Sequence, residues 1–181
     1  MKETFNNVIT YIKNPVPGAD TNKDSGYRIK IFFHLFIISI ATSIIITPLF
    51  SLIQELQLVD FETHKIEEMF KDMSFIQVLL LSSVVAPIIE ETLFRAPITI
   101  FIKPNSFKYA FYIFTLIFGF IHISNFKITT NVLLLSPLLI LPQLLVGGYF
   151  GYIRVKFGLL WSILLHGSYN GFLFLMSFLF E

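Results

Sequence analysis

The sequence predicts an all-α fold, a polytopic membrane bundle of about five transmembrane helices. Three observations carry that reading. Five apolar stretches divide the chain, each near the roughly 20 residues that a helix needs to cross a bilayer. Charged residues make up only 14% of the 181, and mean hydropathy is +0.74, whereas soluble domains carry roughly 25% charged residues. The stretches are also too long and too evenly apolar for the alternating strands of a barrel, and in lipid the backbone must be satisfied internally.

The elements follow in order. Residues 1–28 read as a polar leader on the cytoplasmic side, with turn signals at Pro15, Pro17-Gly18 and Ser25-Gly26. The bundle occupies residues 29–181. Its first span, about Ile29–Ile53, is too long for a signal-peptide core and should stay as an anchor. His34, about a turn into it, is expected at the membrane interface. Gln54–Asp72 is an acidic loop in which Glu55, Asp60, Glu62, Glu67, Glu68 and Asp72 outnumber Lys65 and Lys71. Met69 and Phe70 there suggest a short amphipathic surface helix, and His64 a solvated side chain. The second span, about Ser74–Ile102, is interrupted by charges, with Pro87 just before them freeing a carbonyl one turn upstream and admitting water. The third runs over about Phe107–Ser124. In the fourth, about Val132–Ile153, Pro137 and Pro142 should kink the helix and Gln143 should bond across to a neighbour. Its Gly147-Gly148-Tyr149-Phe150-Gly151 has the small-residue spacing that lets helices approach closely. The fifth covers about Leu159–Phe180.

Several function classes drop out. A net charge of +1 gives no nucleic-acid footprint. The absence of cysteine excludes disulfides, Cys-based zinc sites and prenylation or palmitoylation, and Lys2 after Met1 is not a myristoylation signal. No internal repeat of the transporter kind is visible.

Orientation follows from the basic residues. An inner N-terminus puts Lys2, Lys13, Lys23, Arg28, Lys30, Lys103, Lys108, Arg154 and Lys156 inside, against Lys65, Lys71 and Lys127 outside. Depths then follow at ~1.5 Å per residue: Glu90 lies roughly 18 Å above the inner end of its helix, His122 roughly 21 Å and His166 roughly 12 Å. All three fall within the hydrocarbon layer, where ionisable groups are costly and mark function by default.

Those residues form three clusters. Glu91 and Arg95, four apart, can pair on one helix face, while Glu90 points about 100° away and is free to face something else. A carboxylate between burial and a neighbouring cation feels opposing pulls that suit a general base near neutral pH. A lone Glu–Arg pair also reads as an interfacial salt bridge, but a second adjacent Glu argues against that. His122 alone reads equally as an interhelical hydrogen-bonding residue. His166 and Asn170, also four apart, read as polar glue between helices or as paired donors to a developing oxyanion.

In their order, Glu90-Glu91-x-x-x-Arg95, Phe118-x-x-x-His122 and His166-x-x-x-Asn170 resemble the CPBP family of intramembrane proteases, also called the CAAX protease or abortive-infection family. The family includes the type II CAAX prenyl endopeptidases and bacterial bacteriocin-immunity and lysostaphin-resistance proteins. The resemblance covers about Leu79–Phe174 and leaves the leader and first span outside. It implies an intramembrane endopeptidase in which Glu90 activates water with His122 helping to hold it. His166 and Asn170 would bind the oxyanion, and Glu91 and Arg95 would position the base and a substrate carbonyl or carboxylate. It implies no required cofactor. The alternative is a zinc enzyme with Glu90, His122 and His166 as ligands, although His-Glu-x-x-His is absent.

The expected partners are the lipid bilayer and a membrane-associated protein or peptide substrate. The Lys, Asn, Ile and Phe bias points to a bacterial plasma membrane, so prenylated CAAX proteins are not the expected substrate. Two competing readings are a non-catalytic immunity or peptide-binding protein using the same polar cavity, and a proton relay through Glu90 and Glu91. Retention of the whole catalytic-type set favours the enzyme over the first. The lack of repeats argues against the second.

Overall fold

The structure, a computed structural model, describes residues 1–61 and 72–180. Among these residues every regular element is helical. The expectations for His64 and for a surface helix at Met69 and Phe70 lie outside the described residues.

The leader is more ordered than its polarity announced. Helix α1 (Lys2–Lys13) buries Thr4, Val8 and Tyr11, one stripe at three- and four-residue spacing. It is docked rather than trailing. The Tyr112 hydroxyl reaches the carbonyls of Ile12 and Lys13, both at 2.9 Å, and the Asp20 amide donates to the Lys156 carbonyl at 2.9 Å. His34 bonds the leader helix: its Nδ1 lies 2.8 Å from the Thr4 hydroxyl of α1.

Helix α2 (Ser25–Glu55) starts where the Asp24 carboxylate accepts from the Tyr27 amide at 2.7 Å. Its hydroxyls settle on carbonyls one turn back, as at Ser39, Thr42 and Thr47, which satisfies them within the helix. The second span opens with α3 (Phe75–Leu80), whose Ser74 and Gln77 form a capping box. A π segment (Leu81–Val85) follows and then α4 (Ala86–Phe94). A 3-10 turn over Pro97–Ile100 closes the span. Helix α5 (Pro104–Ile121) has Pro at its first position and continues into a 3-10 turn over His122–Asn125. The fourth span breaks at Ile140 into α6 (Thr130–Leu139) and α7 (Leu141–Phe157), as its two prolines foretold. Gly158, at φ +109, ends α7 in a backbone conformation that L side chains avoid, and α8 (Leu159–Phe180) begins at once.

Five helical stretches are long and apolar enough to cross a membrane: Ser25–Glu55, Phe75–Ile100, Pro104–Asn125, Thr130–Phe157 and Leu159–Leu179. The protein is thus an integral membrane protein. Helix α7 is central and packs on α1, α2, α5 and α8. Its glycines make this possible. A Cβ on Gly151 would stand 2.7 Å from the Phe111 ring, and one on Gly147 would stand 2.8 Å from Arg95 Nη2. Association in lipid relies on such close packing because burial of apolar surface gives little drive there.

Candidate active site

The π segment sets the site's geometry. The Ala86 amide bonds five residues back, to Leu81. In that pattern Pro87 would serve the Ser82 carbonyl, but proline has no N–H. Asn170 Nδ2 of α8 donates to that carbonyl instead, at 3.1 Å. The freed carbonyl therefore ties two spans together, where the sequence suggested an entry point for water. Because a carbonyl only accepts, the amide nitrogen of Asn170 is the atom facing it. One N–H is engaged, and the second remains available.

Glu91 is fully buried and forms the hub of a polar network. The Ser162 hydroxyl bridges its Oε2 and the Phe150 carbonyl. His166 Nδ1 lies 3.0 Å from Oε1, and Arg95 Nε lies 4.0 Å from Oε2. Arg95 is itself fully buried. It donates from Nη2 to the Gly147 carbonyl at 3.2 Å, and its guanidinium stands 4.0 Å over the Phe118 ring. Arg154 clamps the end of α4 through the Arg95 carbonyl at 3.2 Å and the Thr99 hydroxyl at 2.8 Å. The predicted Glu91–Arg95 pair thus forms, but behind the site wall. Neither residue lines the cavity, and both are fully buried.

Glu90 faces the other way, as the 100° step requires. Its Oε2 is buried without a hydrogen-bond partner among the described residues and sits 3.7 Å from His166 Nε2. His122 Nδ1 bonds the Phe118 carbonyl at 2.8 Å, which fixes the proton on Nδ1 and turns Nε2 toward the cavity as an acceptor. His166 is fixed in the same sense by Glu91. Aromatic rings hold both imidazoles: Phe150 stacks on His166 with centroids 4.5 Å apart, and Phe118 meets His122 at 5.0 Å and His166 at 5.8 Å. Phe118, at the head of the second motif, thereby touches Arg95, His122 and His166.

Glu90, His122, His166 and Asn170 all line one cavity of about 650 Å³ between α4, α5, α7 and α8. No three acidic or imidazole groups among the described residues stand close enough to hold a metal ion.

Residues 72–172, more than half of the chain, match the family model described as Type II CAAX prenyl endopeptidase Rce1-like. The chain belongs to that family. No curated protein and no solved structure matches it. The Rce1-like region contains every motif residue from Glu90 to Asn170, and α1 and α2 lie outside it. Membership makes this a protease-family membrane protein, with a bilayer as its setting and a protein as its class of substrate.

Part of the Rce1-like site escaped sequence reasoning. Ser162, His166 and Asn170 are each four apart on one face of α8, and that spacing was the available signal for Ser162. Phe150 and Tyr169 gave none, since aromatics on apolar helices read as packing. The Tyr169 hydroxyl lies 2.6 Å from Ser43 of α2, so a helix outside the matched region braces the cavity wall. The expected bond from Gln143 across to a neighbour is contradicted: its Oε1 is buried and without a partner among the described residues, on the cavity wall.

Proposed function

We propose that the protein is an intramembrane endopeptidase in which Glu90 is the general base that activates water. The observation that carries this is the Glu90 carboxylate. It is buried at Oε2 with no hydrogen-bond partner among the described residues, faces His166 Nε2 at 3.7 Å, and shares a cavity with both imidazoles. A water bound between Glu90 and His122 Nε2 loses its proton to Glu90 as its oxygen attacks the scissile carbonyl. The oxyanion takes the second N–H of Asn170. The proton on Glu90 can pass to His166 Nε2, 3.7 Å away, which then becomes a second donor to the oxyanion. From there it leaves with the amine, so the proton balance closes over one turnover. Glu91 and Ser162 hold His166 in register, and Arg95 holds Glu91.

The substrate enters from lipid in this reading. Val85, Ile89, Ile121 and Leu173 line the cavity, are exposed in part, and belong to membrane-spanning segments. Such an apolar rim suits a membrane-associated peptide. The route needs no metal. The N-terminus is cytoplasmic by the distribution of basic residues, and the membrane is a bacterial plasma membrane.

The test is Glu90→Gln, which keeps shape and removes the base. Cleavage of membrane peptides by the purified protein in lipid should fall by roughly 10²–10⁴. A folded variant that cleaves at the full rate refutes the assignment and leaves a binding role standing. Chelator should leave wild-type activity intact. Loss restored by zinc would replace the metal-free route.

A further inference from the structure

The cavity wall carries a polar side chain with an unsatisfied buried atom that the chemistry above does not use. Gln143 lies on α7 in line with Val146 and Phe150, and all three contribute to the wall. Its Oε1 is buried and accepts no hydrogen bond among the described residues. Native interiors rarely leave a polar atom unsatisfied, and an exception calls for an explanation at the site. The sequence offered polar glue as that explanation, and the missing partner removes it.

We propose that Gln143 binds the main chain of the substrate. This rests on the endopeptidase reading and adds where along the peptide the hold falls. A lipid-embedded apolar segment brings few side-chain donors, but every residue except proline brings a main-chain N–H and C=O. A carboxamide carries one acceptor and a donor pair, the complement of a peptide group. It can therefore grip such a chain whatever its side chains.

Position follows from the helix. Gln143 precedes Phe150 by seven residues, ~10.5 Å along α7, and Phe150 stacks on His166 beside the reacting carbonyl. An extended peptide advances roughly 3.3 Å per residue. Gln143 thus meets the substrate about three residues from the scissile bond.

The experiment uses the full chain in lipid nanodiscs. The probes are lysine-flanked apolar peptides with a quenched fluorophore, sorted by binding to the protein. Gln143→Leu should weaken binding and raise KM about five- to tenfold, the worth of one lost hydrogen bond with its partner left unpaired, with kcat little changed. Its thermal stability should not fall, because no internal bond is lost. N-methylation scanned along the best peptide should weaken wild-type binding at one position about three residues from the cleaved bond, and that effect should vanish in Gln143→Leu. Unchanged binding overturns the proposal. So does a variant that loses stability or fails to fold, which assigns Gln143 a structural role, and so does a library from which nothing binds. Binding and cleavage separate the two readings: an active Glu90→Gln defeats the general base while Gln143-dependent binding persists.

Discussion

Glu91→Gln should destabilise the protein more than Arg95→Met, although it is the more conservative change by shape. Each variant breaks a fully buried ion pair, and removing one partner of such a pair costs about 3–5 kcal/mol because the other is left uncompensated. What remains differs between the two. Without Arg95, the Glu91 carboxylate still accepts from Ser162 and faces His166 Nδ1 at 3.0 Å. Without the Glu91 charge, Arg95 keeps the Gly147 carbonyl at 3.2 Å and the face of Phe118, while its Nε and Nη1 have no hydrogen-bond partner among the described residues. The guanidinium thus loses its ion-pair partner and has fewer hydrogen bonds in reserve. That places Glu91→Gln near 5 kcal/mol and Arg95→Met near 3 kcal/mol, both order-of-magnitude figures. The double variant should cost about as much as the worse single one rather than their sum of about 8 kcal/mol, since the second change removes the charge that the first had stranded. Unfolding in mixed micelles on addition of denaturing detergent, followed by circular dichroism, gives all three values. Additive losses, or a larger loss for Arg95→Met, would refute the picture of Glu91 as a hub with partners to spare.

Other expectations are narrower. Asn170→Ala should lower the rate by about 10²–10³ through a lost oxyanion donor, and it should also loosen the tie to Ser82, visible as faster amide exchange in the π segment. Ser162→Ala should cost about 1.5–3 kcal/mol as a lost hydrogen bond to a charged group, read by the same detergent titration. Gly167→Ala should be worse than Gly171→Ala: the first Cβ runs into the Ser83 backbone carbonyl, whereas the second meets only the Ser83 side chain at 3.2 Å. Comparison of their midpoints decides it. A cysteine introduced at Asn6 should react with a membrane-impermeant reagent only after lysis, and labelling of intact cells would reverse the topology.

Length and apolarity drew the five spans to within a few residues, because the bilayer imposes a length that the sequence must meet. The two faces of the Glu90-Glu91 pair were equally legible, since a 100° step per residue follows from the helix itself. The leader helix went unread although Thr4, Val8 and Tyr11 have helical spacing; the polar residues and turn signals around them masked it. Other features had no local signature. Whether Gln143 finds a partner depends on what four other elements place beside it. Arg95's withdrawal behind the wall depends on Gly147, 52 residues later, leaving room for it. Pro87 announced a freed carbonyl, yet only the packing of α8 says that Asn170 takes it.

The π segment has a consequence for insertions and deletions in this chain. A ring closed five residues back holds one residue more than an α-helical ring. Deleting one residue from Leu81–Val85 would let the span relax to a continuous α-helix with Glu90, Glu91 and Arg95 still in phase. Because the π turn has absorbed that residue, everything upstream would keep its facing, and α3 and its capped start would stay on the same side of the bundle. The extra residue is therefore held in the bulge: it leaves the Ser82 carbonyl to Asn170 and does not change which faces the two halves of the span present.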